Sequence, residues 1–248
     1  MSLERIRADW TRLGEHDPMW AVLVSPGRRH HRWSPEEFFA TGRDEVDAVL
    51  ARGHVLGLEP ELGTALDFGC GVGRLTQALA GCVKRVVGFD VSAPMLAEAR
   101  RHDVTGRCQF LLDDGRGLAR FPDGSFDIAY SSLVLQHIPP PDNQRVLGEL
   151  IRVLRPGGAL FVQVASRPTS SAKGLLFAHA PRAALRAAQR HVLRYPAPME
   201  MHALDRATVE SVVADAGGRV RAAVDDEMYG GHWVYTRYFV DKGAGGPA

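Results

Sequence analysis

The chain predicts a doubly wound α/β sheet, and three observations carry that prediction. Between residues 64 and 164, short apolar runs of strand length alternate with helical patterns. The runs lack polar–apolar alternation, as expected of parallel strands covered on both faces. The first run ends in a glycine-rich turn that opens straight into a helix, where such sheets bind a ligand beyond the carboxyl ends of their strands.

The elements follow in order. Residues 2–13 and 34–58 read as helices, the second opening with Ser34-Pro35-Glu36-Glu37 as cap, first-turn proline and capping-box acid. Strands are expected at 64–68, 85–89, 109–112, 126–130 and 159–164, with helices at 74–80, 93–101 and 143–154 between them. Leu154-Arg155-Pro156-Gly157-Gly158 reads as a helix stop and tight turn into the fifth strand. An insertion at 166–204 follows, read as a mobile loop with a helical cover at 181–193. Asp205 then caps a helix through Ala216, and strands at 219–224 and 233–240 close the chain.

With 248 residues, 45% hydrophobic and 24% charged, the chain is long enough to bury a full core, which excludes disorder, coiled coil and collagen. Thirty Lys and Arg against twenty-nine Asp and Glu show no block of one sign along the sequence, so neither nucleic acid nor a membrane is an expected partner. Cys70, Cys82 and Cys108 form no Cys-x-x-Cys pair, which fits neither a disulfide framework nor a zinc site and points to a reducing cytoplasm. No metal is expected. No apolar run approaches the ~18 residues of a spanning helix. Oligomeric state is not legible.

The chemistry concentrates at strand ends. Asp67-Phe68-Gly69-Cys70-Gly71-Val72-Gly73-Arg74 joins the first strand to the first sheet helix. Glycines there let backbone approach a ligand, and the helix offers free N–H groups and its positive dipole end. With Gly69 as the first glycine of the dinucleotide pattern, Arg74 stands in place of the third. The second strand ends in Asp90, twenty-one residues after Gly69, suited to accept hydrogen bonds from ribose hydroxyls. Val91 and Met95 follow; the third strand leads into Asp113-Asp114-Gly115 and the fourth into Ser131-Ser132-Leu133 and His137.

Together these segments resemble the class I S-adenosylmethionine-dependent methyltransferases of the small-molecule type over roughly one hundred residues. The resemblance implies a Rossmann-like, seven-stranded, mostly parallel sheet with its last strand antiparallel, and an enzyme whose cofactor is S-adenosyl-L-methionine and whose product is S-adenosyl-L-homocysteine. It implies cofactor contacts from Asp67, Gly69, Cys70, Gly71, Asp90, Val91, Met95, Asp114 (preferred to Asp113), Gly115, Ser131 and Leu133, with Arg43 as a partner for the cofactor carboxylate. Cys70 also reads as a small buried residue rather than a nucleophile. Neither a Pro-Cys dipeptide nor an Asn/Asp-Pro-Pro-Tyr signature occurs, which demotes nucleic acid as substrate.

His137 is the titratable side chain that the resemblance sets near the methyl group, as general base or as structural histidine. Residues 1–62 are expected as a helical cap and 63–248 as the catalytic domain, with 166–204 as its lid. Trp20, Trp33, Met201, His202, Tyr229, His232 and Trp233 are the expected acceptor-binding residues. Arg182, Arg186, Arg190 and Arg194 recur every four residues and read as a solvated face, with a basic stripe that receives an anionic group as the alternative. The reaction expected is methyl transfer to oxygen or nitrogen of a small molecule. The alternatives are a nucleotide-dependent oxidoreductase on the same sheet, which Arg74 opposes, and a non-catalytic cofactor-binding partner protein.

Overall fold

The computed structural model describes residues 3–226 and 232–243. A seven-stranded sheet has the order β3-β2-β1-β4-β5-β7-β6, built from β1 (Thr64–Phe68), β2 (Arg85–Asp90), β3 (Cys108–Leu112), β4 (Phe126–Ser131), β5 (Leu154–Pro168), β6 (Gly218–Asp226) and β7 (Trp233–Lys242). The first five strands are parallel, and β7 runs antiparallel to both neighbours. Helices α1 (Leu3–His16), α2 (Pro18–Val22) and α3 (Pro35–Val55) precede the sheet; α4 (Arg74–Ala80), α5 (Ala93–His102) and α6 (Asp142–Arg152) cross between its strands.

Alternation along the central strands divides the core in two. Leu66, Ala129, Leu160, Val162, Tyr238 and Val240 pack on one face with Leu147, Leu150 and Ile151 of α6. Ala65, Ile128, Tyr130, Phe161 and Phe239 turn to the other, against Val46 and Val49 of α3 and Leu75 and Leu79 of α4. Both faces are dry, which is why these segments read as unbroken apolar runs. Gly42 lets α3 approach α4, since a Cβ there would strike the Arg74 backbone.

Three expectations are corrected. The helix read over 34–58 stops at Val55, because Gly57 takes φ +74° while the Gly57 and Leu58 amides donate back to the carbonyls of His54 and Gly53 at 2.9 and 3.0 Å, closing a Schellman turn. β5 begins at Leu154 rather than 159: Arg155-Pro156-Gly157 is not a turn outside the sheet but an irregular strand start, with Leu154 pairing Phe126 across a register shift and Gly157 at φ +79°. The insertion holds two helices, not one. Ser171 caps α7 (Ala172–His179) by accepting from the Gly174 amide at 3.0 Å, and α8 (Arg182–Ala187) runs into a π-helical turn at Ala188–Val192. The expected cap at Asp205 forms, accepting from the Thr208 amide at 2.9 Å at the head of α9 (Arg206–Asp215). No helix among the described residues is long and apolar enough to cross a membrane.

Candidate active site

A cavity of about 210 Å³ opens beyond the carboxyl ends of β1, β2, β3 and β4. Its floor is the turn after β1, where Gly69 and Gly71 both take positive φ, +74° and +52°. A Cβ at Gly71 would lie 2.5 Å from the Val22 side chain, so only glycine lets the cap and the turn meet there. The Gly69 amide donates to the Phe89 carbonyl at 2.8 Å, which ties the turn to β2.

Asp90 ends β2 at the cavity edge and is 9% exposed. Its Oδ2 accepts from the Gly71 amide and its Oδ1 from the Ser92 amide, each at 2.8 Å. Burial raises its pKa, and the amides oppose that by stabilising the charged form. Each oxygen keeps a lone pair for a further donor. Met95, Val91, Gly115 and Leu133 line the same space, with Leu133 at φ +62°.

On the far side stands His137, in the short turn after β4. Its Nδ1 lies 2.7 Å from the Glu200 carbonyl. A carbonyl only accepts, so Nδ1 carries the hydrogen, and burial pushes the pKa down to about 4. The ring is therefore neutral near pH 7, and Nε2 keeps its lone pair. The roof is α1: Ile6 and Trp10 line the cavity, and Arg7 Nη2 donates to the Asp113 carbonyl at 2.8 Å.

The cavity thus brings together Gly69, Gly71, Asp90, Val91, Met95, Gly115, Leu133 and His137 of the residues expected from the sequence. Asp113 lines it in place of Asp114. The Asp113 carboxylate accepts from the Gly115 and Gly117 amides at 2.8 and 3.0 Å, whereas Asp114 turns outward onto Arg116, 2.7 Å away, which draws its pKa down to about 2. Either acid fits an Asx turn by pattern, so the choice was not visible in the sequence. Asp67 lies behind the turn, fully buried, accepting from Thr76 Oγ1 at 2.6 Å with its pKa pushed up to about 7 by burial. It braces α4 rather than lining the cavity. Cys70 is buried against Leu96, Ala99 and Phe110, and Ser131 Oγ donates to the Phe68 carbonyl at 3.0 Å. Arg43 does not line the cavity.

The expected acceptor residues among the described ones do not line it either. Trp20 packs on Tyr195, Trp33 Nε1 donates to the Leu23 carbonyl at 3.2 Å, and His232 and Trp233 pack around Phe177. Met201 is half-buried, and His202 is buried with both ring nitrogens unpartnered. Tyr229 lies outside the described residues. The arginine stripe is not a solvated face throughout: Arg186 pairs with Glu200 at 2.9 Å, and Arg190 lies 4.0 Å from Asp9 of α1.

Sequence reasoning also missed a buried charged network beside the cavity. Ser132, a lining residue, donates to Gln163 Oε1 at 3.3 Å, and Gln163 Nε2 donates to Asp226 Oδ2 at 2.8 Å. Arg237 bridges Asp226 and Glu45, both at 2.9 Å, and Arg74 donates to Glu45 at 2.7 Å. Charged residues inside apolar runs, Arg237 in β7 and Glu45 on the inner side of α3, are the one signal of it in the sequence.

Strand order, glycine turn and end-of-strand acids define a nucleotide-type cofactor site on a doubly wound sheet. Residues 66–162, the segment that carries the glycine turn and the end-of-strand acids, match the family described as methyltransferase domain. The chain is 33% identical to the 2-methyl-6-phytyl-1,4-hydroquinone methyltransferase of Synechocystis sp. over 157 residues, 62% of this chain and 48% of that protein. It is 35% identical over 150 residues to the trans-aconitate 2-methyltransferase of Deinococcus radiodurans, 60% of this chain and 55% of that one. The chain therefore spans about half the length of these curated relatives. In fold it is similar to magnesium protoporphyrin IX methyltransferase from Synechocystis PCC 6803 with bound SAH, with TM-score 0.63, 19% identity and coverage of 96% of this chain and 99% of that one.

Proposed function

We propose that this protein transfers a methyl group from S-adenosylmethionine to an oxygen or nitrogen of a small-molecule acceptor. The observation that carries this reading is the meeting at one cavity of Asp90, oriented by two backbone amides, with His137, whose Nδ1–H is tied to a carbonyl. The cofactor supplies an electrophilic methyl group on a sulfonium. Asp90 accepts from its ribose hydroxyls, Met95 and Leu133 flank its adenine, and Asp113 with the Gly115 amide closes the end after β3. Gly69 and Gly71 admit the cofactor against backbone.

His137 holds the acceptor and takes its proton on Nε2 when an acceptor hydroxyl or ammonium must lose one, then releases it to solvent. The remaining work is alignment of the acceptor atom in line with the methyl group. Trp10, Leu133 and Ile138 give the wall near His137 an apolar character that favours an acceptor with apolar surface. The named relatives, which act on a hydroquinone and on trans-aconitate, support a small-molecule acceptor. Residues 1–62 act as a cap over the catalytic domain at 63–248, and the insertion at 166–204 acts as its lid.

Calorimetric titration with S-adenosylmethionine, S-adenosylhomocysteine and NADH tests this. Binding of the two adenosyl ligands and not of NADH is expected. Binding of NADH alone would return the oxidoreductase reading.

A further inference from the structure

Two acid-free stretches far apart in the chain, 18–35 and 166–199, hold nine of its thirty Lys and Arg and none of its twenty-nine Asp and Glu. The near-neutral total hides this segregation. The fold brings the two stretches together: the Arg29 guanidinium donates to the Leu193 carbonyl at 2.6 Å and to the Arg194 carbonyl, and lies over the rings of Trp20 and Tyr195 at 5.1 and 5.0 Å.

Apolar side chains stand out on the same stretches. Val192 and Leu193 are exposed at the Arg29 junction, Val192 by 75%, and Val24, Leu175 and Leu176 are exposed elsewhere on the same two stretches. Gly174 is the sole buried residue of α7, and α8 with its π-helical turn buries none. Arg186, Arg190 and Arg28 face acids. Arg32, Arg167, Lys173, Arg182 and Arg194 have no acid within ion-pair distance among the described residues. Leucine and valine beside unpaired cations, on two stretches that carry no acid of their own, is the composition of a surface that sits at a lipid interface.

We propose that this face docks on an anionic phospholipid bilayer, with Val24, Val192 and Leu193 entering the headgroup boundary and Arg32 and Arg194 meeting the lipid phosphates. The charge carries the choice of occupant: a second copy would set the same cations against themselves. A nucleic acid would use the cations but leave Val192 and Leu193 without a role. The mode is peripheral, and it does not rest on the cofactor reading.

The test is co-sedimentation of the full chain with vesicles of equal parts phosphatidylglycerol and phosphatidylcholine, and with phosphatidylcholine alone. At least about tenfold tighter binding to the anionic vesicles is expected, falling with salt. The pair Arg32→Glu and Arg194→Glu, and separately the pair Val192→Ser and Leu193→Ser, should each lower it at least about tenfold. All four positions are exposed and lie outside the cavity. S-adenosylmethionine titration of each variant reads the cofactor site independently and should be unchanged. Equal affinity for both vesicle types, wild-type affinity in the serine pair, tighter binding to single-stranded RNA than to the vesicles, or a dimer in sedimentation velocity that the serine pair dissolves would each overturn the proposal.

Discussion

Trp10 and His137 meet in a T-shaped contact, ring centroids 4.9 Å apart at 68°. One is on the first helix and the other follows the fourth strand, so the cap is seated directly on the proposed base. His137 has three constraints: this ring, the Glu200 carbonyl on Nδ1, and burial that holds it neutral. Their combined effect is one tautomer in one orientation.

Turnover should therefore lack an acid limb near pH 6.5 and lose activity only towards pH 4, where His137 protonates. His137→Ala should slow turnover by about 10²- to 10⁴-fold. It should leave S-adenosylmethionine affinity within about threefold of wild type. A pH–rate profile with its limb at the ordinary histidine value would contradict the geometry.

The same shift has a stability consequence. A histidine whose folded pKa lies below its unfolded value of 6.5 contributes stability above that value, lost as pH falls from 6.5 towards 4. Urea unfolding across that window should show the wild type losing up to about 3 kcal/mol more than His137→Gln.

Asp90→Ala should weaken S-adenosylmethionine binding by about ten- to a hundredfold, the worth of hydrogen bonds to a charged group. Calorimetry measures it directly. Undiminished affinity would remove the ribose assignment.

Asp113 and Asp114 make a paired test. Asp113→Ala frees the amides of Gly115 and Gly117 at the cavity edge and should cost about tenfold or more in cofactor affinity. Asp114→Ala breaks an exposed pair with Arg116 and should change it by less than about twofold. The reverse order in calorimetry would favour the sequence-based choice.

Glu45→Ala leaves Arg237 and Arg74 short of a buried partner. A loss of about 3–5 kcal/mol in denaturant unfolding is expected. Glu45→Gln should recover part of it by keeping one acceptor.

Much of this was legible in the sequence, for identifiable reasons. Strand ends were readable where a glycine turn or a terminal acid follows an apolar run, as at Phe68 and Asp90, because covalent order alone brings those residues to one edge of the sheet. What depended on side-chain direction was not. Asp113 and Asp114 differ only in which way a turn rotates them, and Trp20 packs on Tyr195 and Trp33 on Phe38 instead of lining the cavity. The Glu45 network was hidden for a related reason: its charged and amide members come from five separate elements, α3, α4, β5, β6 and β7, and no local pattern announces a partner so far along the chain.

That distance has a consequence for how the protein is made. Glu45 and Arg237 are 192 residues apart, and Arg237 sits in the last strand. A nascent chain emerges amino end first, so α3 leaves the ribosome long before the cation that completes its pairing. Until β7 arrives to fill the gap between β5 and β6, the sheet lacks the antiparallel strand that joins them, and a carboxylate meant for the interior lacks the Arg237 cation that completes its pairing with Arg74 and the Tyr130 hydroxyl. The arrival of β7 thus completes the sheet and the Glu45 pairing together, and a chain stalled short of Arg237 would present chaperones with a charged, unclosed core.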